Sequence, residues 1–339
     1  MPSRRTCATM PLHRHLAAVD ATYPPVRREI EAFSMLARRA PRTTVARITA
    51  VVHVLHRTAA ENITDEQVRS QIDVLNADFR ARNADIGKAP APFAGKLGDA
   101  LVEFALATVD PEGRKTNGIT RTRTRLDAFD GEIATLDEQI KIESGAAAWP
   151  ANRYLNLWVC TLGSGLLGYA QFPGGPAARD GVVILNTAFG TTGIVEQPFH
   201  LGRTATHEVA HWLNLLHIWG DDDLGCRGSD SVADTPNQAG SNGGCPQFPQ
   251  VSCKNGPHGD MFMNFMDYTD DACMFLFSRG QVLRMHAALS GPRASLLGDD
   301  ADEVTERLAP VEEFRAMEAT FESEQGERPT LVFDGVDWV

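Results

Sequence analysis

The chain predicts a mixed α/β (α+β) fold, a twisted mixed sheet with helices above an irregular lower part. Three observations predict it. Between residues 44 and 217, short β-branched segments of alternating polarity are interleaved with segments of helical period. One helical segment carries His207-Glu208-Val209-Ala210-His211 and is followed by His217, a pattern that needs a helix ending in a sharp turn. From Gly220 to Asp260 all periodicity disappears, and Gly, Asp, Asn, Pro and cysteines take over.

Taken in order, residues 1–43 are rich in Arg, Pro and Ala and carry one short helical pattern near Val26–Arg39. They read as an extension ahead of the compact fold. Thr44–His56 (TVARITAVVHVLH) is β-branched and alternating, hence a strand. Asp65 opens a helix whose apolar stripe is Val68, Ile72, Leu75 and Phe79. Leu101–Val109 and Gly118–Thr124 suit neighbouring strands, and Tyr154–Thr161 is a strong one with Leu155, Leu157 and Val159 on one face. Leu166–Phe172 and Val182–Leu185 complete the sheet. A helix over Thr204–Leu216 follows, with Thr204 or Thr206 as N-cap. Ser278–Leu289 is a closing helix, and Val304–Phe321 forms an amphipathic one interrupted by Pro310. No internal repeat is present.

At 339 residues and 43% hydrophobic, the chain can bury a substantial core, and its length suggests about two domains. No run approaches the roughly 18 apolar residues of a membrane span. The opening MPSRRTCATMPLHRHL has basic residues but no apolar stretch behind them, so no signal peptide is visible. Of six cysteines, four (Cys226, Cys245, Cys253 and Cys273) crowd into the loop-rich stretch, and none has C-x-x-C spacing. Such a segment lacks apolar side chains and gains from disulfides, which points to an oxidising, extracellular setting. That expectation conflicts with the missing leader. The net charge of −12 is concentrated at the C-terminus: residues 299–339 hold 13 acidic and 3 basic side chains. The remainder is nearly neutral. An acidic chain without a basic patch excludes nucleic acid as the expected partner, and the tail reads as a solvated appendage.

The chemistry lies in the histidines. On a helix, His207 and His211 are about 40° apart in azimuth and about 6 Å apart in rise, so both imidazoles can grip one metal ion. Were the helix to continue, His217 would lie about 9 Å beyond His211, out of reach. Asn214 stands where the turn is needed, and Asn best tolerates the left-handed conformation among non-glycine residues. Three imidazoles with an open fourth position are the donor set of a catalytic zinc ion. Glu208 can reach a metal-bound water without ligating the ion, as a general base for peptide hydrolysis requires. Two other classes compete. A gluzincin-type peptidase would take a downstream glutamate as third ligand. A catalytically silent zinc-binding interaction module would have no use for Glu208.

Further segments carry a resemblance. They are Gly202-Arg203-Thr204-Ala205-Thr206-His207, Leu166–Gly175 (LLGYAQFPGG), His217–Asp221 (HIWGD), Val232–Pro236 (VADTP) and Asn264–Met274 (NFMDYTDDACM). Together with the three histidines, they resemble the metzincin clan and most closely its pappalysin (M43) branch, over roughly residues 45–290. The resemblance implies a metzincin-type catalytic domain in which 44–217 form an upper subdomain with the active-site helix and 218–290 a lower subdomain. Residues 1–43 become a candidate pro-segment, and 291–339 an acidic C-terminal extension. It implies His207, His211 and His217 as zinc ligands, Glu208 as base and acid, and Tyr268 as a donor to the oxyanion. Met266 would form the Met-turn, an apolar floor beneath the imidazoles. Asp271 would sit at the base of the S1′ pocket, giving cleavage on the N-terminal side of Arg or Lys; another P1′ preference is the competing expectation. It further implies disulfides Cys226–Cys253 and Cys245–Cys273, and a calcium loop with Asp230, Ala233 and Thr235 as oxygen ligands. Cys7 resembles a latency cysteine that could bind the zinc and displace its water, the competing expectation being a disulfide with Cys160. Protein or peptide substrates, a secreted protein and a monomer are the matching expectations. The chain departs from the family at two places, Asn214 and Ala210, where Gly is usual.

Overall fold

The computed structural model describes residues 2, 4–37, 41–221 and 225–301. The helix expected over Val304–Phe321 lies outside them. In chain order the described elements are α1 (Thr9–Val19), α2 (Tyr23–Ala37), β1 (Ala46–His56), α3 (Asp65–Phe79), α4 (Ala91–Ala94), β2 (Val102–Leu106) and β3 (Ile119–Arg123). There follow α5 (Ile133–Glu138), β4 (Leu155–Cys160), β5 (Gly168–Ala170), β6 (Val182–Leu185), α6 (Arg203–Trp212), β7 (Gly243–Gly244), β8 (Tyr268–Thr269) and α7 (Arg279–Ser290).

The main sheet runs β2-β1-β4-β6-β5, with β3 pairing the far half of β1. Every pairing is parallel except the last, where β5 lies antiparallel to β6 with Gly168 opposite Ile184. The pleat sends alternate side chains to opposite faces. Ile48, Ala50, Val52 and Val54 of β1, with Leu155, Leu157 and Val159 of β4, pack against α3, α6 and the lower part of the molecule. Trp158 and Cys160 of β4, with Val183 and Leu185 of β6, face the other way, onto α1 and α5. Both faces are covered, which is why β4 and β6 read as almost unbroken apolar runs.

The helices start where their sequences direct. Thr64 caps α3 by accepting from Gln67 N, and Ser278 with Gln281 forms a capping box on α7. The extension departs from expectation. Residues 1–43 do not merely precede the fold: Leu12 and Leu16 of α1 and Tyr23 of α2 join the core cluster of Trp158, Tyr169 and Phe199. Leu12 and Leu16, four apart, are buried with Met10 on one face of α1, diluted in the sequence by Arg and His neighbours.

Below α6, bonds Cys226–Cys253 and Cys245–Cys273 close loops of sequence separation 27 and 28. Neither Cys7 nor Cys160 is disulfide-bonded. No helix among the described residues is long and apolar enough to cross a membrane.

Candidate active site

Helix α6 begins at Arg203, behind a left-handed Gly202 at φ 77°. Its cap is neither Thr204 nor Thr206. The Oδ2 of Asp271 accepts from Leu201 N (2.8 Å) and Arg203 N (3.2 Å), so a carboxylate far away in sequence satisfies the helix's first N–H and the entry to it. Thr204 Oγ1 instead accepts from Arg5 (3.1 Å), and Thr206 donates to Asp78 (2.6 Å). The expected cap residues were taken by tertiary partners.

Past Trp212 the chain turns at Asn214, whose φ is 73°. That turn does two things. It returns the Leu215 carbonyl to accept from His211 Nδ1 at 2.7 Å, and it brings His217 back beside the helix. The Nε2 atoms of His207, His211 and His217 converge at separations of 3.1, 3.2 and 3.0 Å. Each outer nitrogen is engaged: His207 Nδ1 on the Phe265 carbonyl (2.6 Å), His217 Nδ1 on Asp221 Oδ1 (2.7 Å). Burial, then the neighbouring imidazoles, holds His207 and His211 well below the usual histidine range, so both are neutral. Three Nε2 atoms that converge, each ring's Nδ1 spent on an outward oxygen, form a donor set for a cation. A tetrahedral zinc with Zn–N of about 2.05 Å would set the nitrogens about 3.3 Å apart, close to what is found.

The floor comes from the lower part. Met266 is fully buried, its carbonyl accepts from Ile218 N, and its own N–H donates to Asn264 Oδ1 at 2.9 Å. Tyr268 of β8 lies with its ring 4.9 Å from that of His217 and 5.7 Å from that of His207. Burial, then the charges of Cys7, Asp221 and Glu208, pushes its phenol far up, which keeps the hydroxyl a donor.

Glu208 is buried beside β5. Gly168 is obligatory there, since a Cβ would come within 2.7 Å of Val183 O and 3.1 Å of Glu208 Cγ. Burial raises the Glu208 carboxyl to about 8, against the lowering effect of Cys7, Thr9 and Arg5. Its Oε2 accepts from Thr9 Oγ1 (3.1 Å) and Cys7 Sγ (3.3 Å).

The N-terminal segment therefore enters the cleft. Cys7 bridges Gly168 in parallel sense, and Cys7 Sγ and the three imidazoles offer ligand atoms all within 4.8 Å of one another. Two residues earlier, Arg5 is buried: Nη2 meets Asp271 Oδ1 at 2.6 Å, Nε donates to the Thr269 carbonyl, and the guanidinium lies 5.0 Å over Phe199. Asp271, rather than Asp270, takes the guanidinium.

The loop at Asp230 is self-satisfied. Asp230 Oδ1 accepts from Val232 N and Oδ2 from Thr235 Oγ1 (2.8 Å), while Ala233 is exposed. Burial raises Asp230 to about 7. Sequence reasoning missed Arg5, Thr9 and Asp221. Arg5 could have been found by asking what pairs with a buried Asp271; Asp221 closes the HIWGD segment, but nothing in the sequence pointed to its contact with His217, and Thr9 carried no signal of its own.

The family profile of the M43 peptidases, described as pregnancy-associated plasma protein-A, matches residues 136–290. An extracellular metalloprotease 1 of Coccidioides posadasii is 32% identical over 83% of this chain and 88% of its own. An extracellular metalloprotease of Verticillium alfalfae is 32% identical over 71% of this chain and 76% of its own. Among solved structures, Tannerella forsythia mature mirolysin in complex with a cleaved peptide is 50% identical, with TM-score 0.73, covering 78% of this chain and 99% of that one. A Tannerella forsythia promirolysin mutant is 44% identical, with TM-score 0.80, covering 90% and 100%. A convergent three-histidine site on a metzincin fold, matched at this level, makes the chain a member of the pappalysin (M43) family, a zinc metalloendopeptidase.

Proposed function

We infer that the chain is the latent form of a secreted endopeptidase that cuts peptides before Arg or Lys, with Glu208 as general base. The observation that carries this reading is Arg5. Its guanidinium fills a buried pocket whose acid is Asp271, as a basic P1′ side chain of a substrate would. Zinc held by the three histidines would polarise the scissile carbonyl and lower the pKa of water towards about 7. Burial alone would keep Glu208 protonated up to about pH 8; the charge of a zinc ion beside it would favour the carboxylate, which can take a proton from the attacking water and hand it to the leaving amine. Tyr268, held protonated, donates to the developing oxyanion. Substrate would add to β5 as an antiparallel strand.

The N-terminal segment runs the other way along β5. Reversal puts a basic residue into the S1′ pocket from the N-terminal side of the zinc-facing residue, so no scissile bond is presented. Cys7 then faces the three Nε2 atoms as a fourth donor, and Thr9 engages the base. Promirolysin covers more of this chain than the mature enzyme does, which supports residues 1–43 as a pro-segment. Calcium at Asp230 would hold ionised a carboxylate that burial otherwise protonates. The relatives named extracellular support export.

The test is a peptide library with zinc quantified. The activated enzyme should cut before Arg or Lys, Asp271→Ala should lose that preference, and Glu208→Ala should retain zinc while losing about 10²-fold or more in kcat. Residual proteolysis near wild type in Glu208→Ala would remove it from the role of base.

A further inference from the structure

The three imidazoles are not supported alike. His207 and His211 donate their outer N–H groups to neutral main-chain carbonyls, of Phe265 and Leu215. His217 alone donates to a carboxylate, Asp221 Oδ1, at 2.7 Å, with both side chains largely withdrawn from solvent. The chain is shaped to make this contact. Gly220 (φ 82°) and Asp221 (φ 57°) are successive left-handed residues, and Gly220 N donates to the His217 carbonyl at 3.0 Å. A Cβ at Gly220 would lie 2.2 Å from Ser229 N, so only glycine permits the reversal that returns Asp221 to the ring four residues back. Trp219 stacks on His217 at 4.4 Å and 8°, fixing the imidazole plane. The other carboxylate oxygen, Asp221 Oδ2, is buried without a hydrogen-bond partner among the described residues. The hydrogen bond that the carboxylate makes is thus directed at the third ligand. Desolvating a carboxylate for one hydrogen bond is costly, and a bound dication is what offsets that cost.

We propose that Asp221 is the positioning residue of the third zinc ligand: it fixes the His217 tautomer with Nε2 inward and lends the site its only nearby second-sphere negative charge among those three contacts. The inference rests on the reading of His217 as a ligand. A carboxylate behind an imidazole makes it a stronger donor, and loss of such partners weakens metal binding by about 10- to 100-fold. Aspartate at this position therefore matters more for holding the metal than either main-chain acceptor does.

The experiment uses the full chain and competition with a chelator for zinc, alongside thermal unfolding of the metal-free protein. Asp221→Ala should release zinc about 10- to 100-fold more readily, with the metal-free melting temperature falling only by the small amount that alanine at φ 57° brings by itself, and far less than that of the loaded protein. Asp221→Asn keeps an acceptor oxygen but no charge, and should fall between alanine and wild type. Cobalt(II) loaded in place of zinc should show a ligand-field spectrum altered in Asp221→Ala and restored towards wild type in Asp221→Asn. Zinc retention by Asp221→Ala equal to wild type would overturn the proposal. So would a metal-free melting temperature that drops as far as that of the loaded protein, since Asp221 would then only build the turn. A wild-type chain that fails to take up one equivalent of zinc would instead remove the ligand assignment itself, before any variant is made.

Discussion

Asn214 stands at φ 73°, in a region that costs an ordinary L-residue about 1–2 kcal/mol, and its side chain offsets part of that cost. Its Nδ2 donates to Glu31 Oε1 (3.2 Å) and Ser34 Oγ (3.4 Å), and its carbonyl accepts from Arg284, which also pairs with Glu31 at 2.6 Å. The residue where the family has Gly is thus tied to α2 and α7 together. Asn214→Ala loses the side-chain bonds and keeps a Cβ in the left-handed region, so it should cost about 1–2 kcal/mol in urea unfolding. Asn214→Gly removes the backbone cost and should lie closer to wild type. An alanine variant as stable as wild type would show that the turn is held by the surrounding packing alone. At this scale the convergence of His207, His211 and His217 beside Glu208 was legible because that geometry is local, set by helical spacing and one turn. Arg5, Thr9 and Asp221 were not, because their roles exist only once distant segments meet.

Among elements, the strands of the sheet were readable from alternation and β-branching, and the observed bounds trim the expected ones by a few residues, as at Val102–Leu106 within Leu101–Val109. Helix α1 was hidden because its buried face mixes Met10, Leu12 and Leu16 with Thr9 and His13. The direction in which residues 5–8 cross β5 had no local signal at all, since strand polarity against an edge is decided by where the rest of α1 and α2 packs. That segment carries a prediction. Arg5 contributes a buried, charge-assisted bond to Asp271, and Cys7 faces the histidines. A hydrogen bond to a charged group is worth about 1.5–3 kcal/mol, equivalent to roughly 10- to 150-fold in the population of the open cleft. Arg5→Ala and Cys7→Ala should therefore raise the activity of the uncleaved chain by about that factor. Fluorogenic peptide turnover by intact protein, with its length verified by mass spectrometry, measures it. Equal activity of uncleaved wild type and both variants would mean that the segment leaves the cleft unaided and does not enforce latency.

For the whole molecule, the buried carboxyls set a pH dependence. Burial raises Asp78 and Asp230 to about 7 and Asp267 to about 6, all from ordinary values near 3.8. A carboxyl that keeps its proton longer in the folded chain destabilises that chain as pH rises. Between about pH 4 and 7 the folded state binds more protons, and stability falls across that window. Buried histidines act oppositely: His53, lowered to about 4, makes the folded chain bind fewer protons, so its contribution improves with pH up to about 6.5. The net curve mixes the two, which is why a difference curve isolates Asp230. In chelator, wild type should lose stability relative to Asp230→Asn as pH rises from 4 to 7, because the asparagine has no proton to release. Calcium binds the ionised carboxylate, so it should raise the melting temperature of wild type, more at pH 7 than at pH 5, and leave Asp230→Asn unmoved. Calorimetry across that range, with and without calcium, reads both effects. A melting temperature indifferent to calcium would mean that the bonds from Val232 and Thr235 satisfy Asp230 without an ion, and a difference curve flat with pH would mean that its carboxyl ionises alike in the folded and unfolded chains.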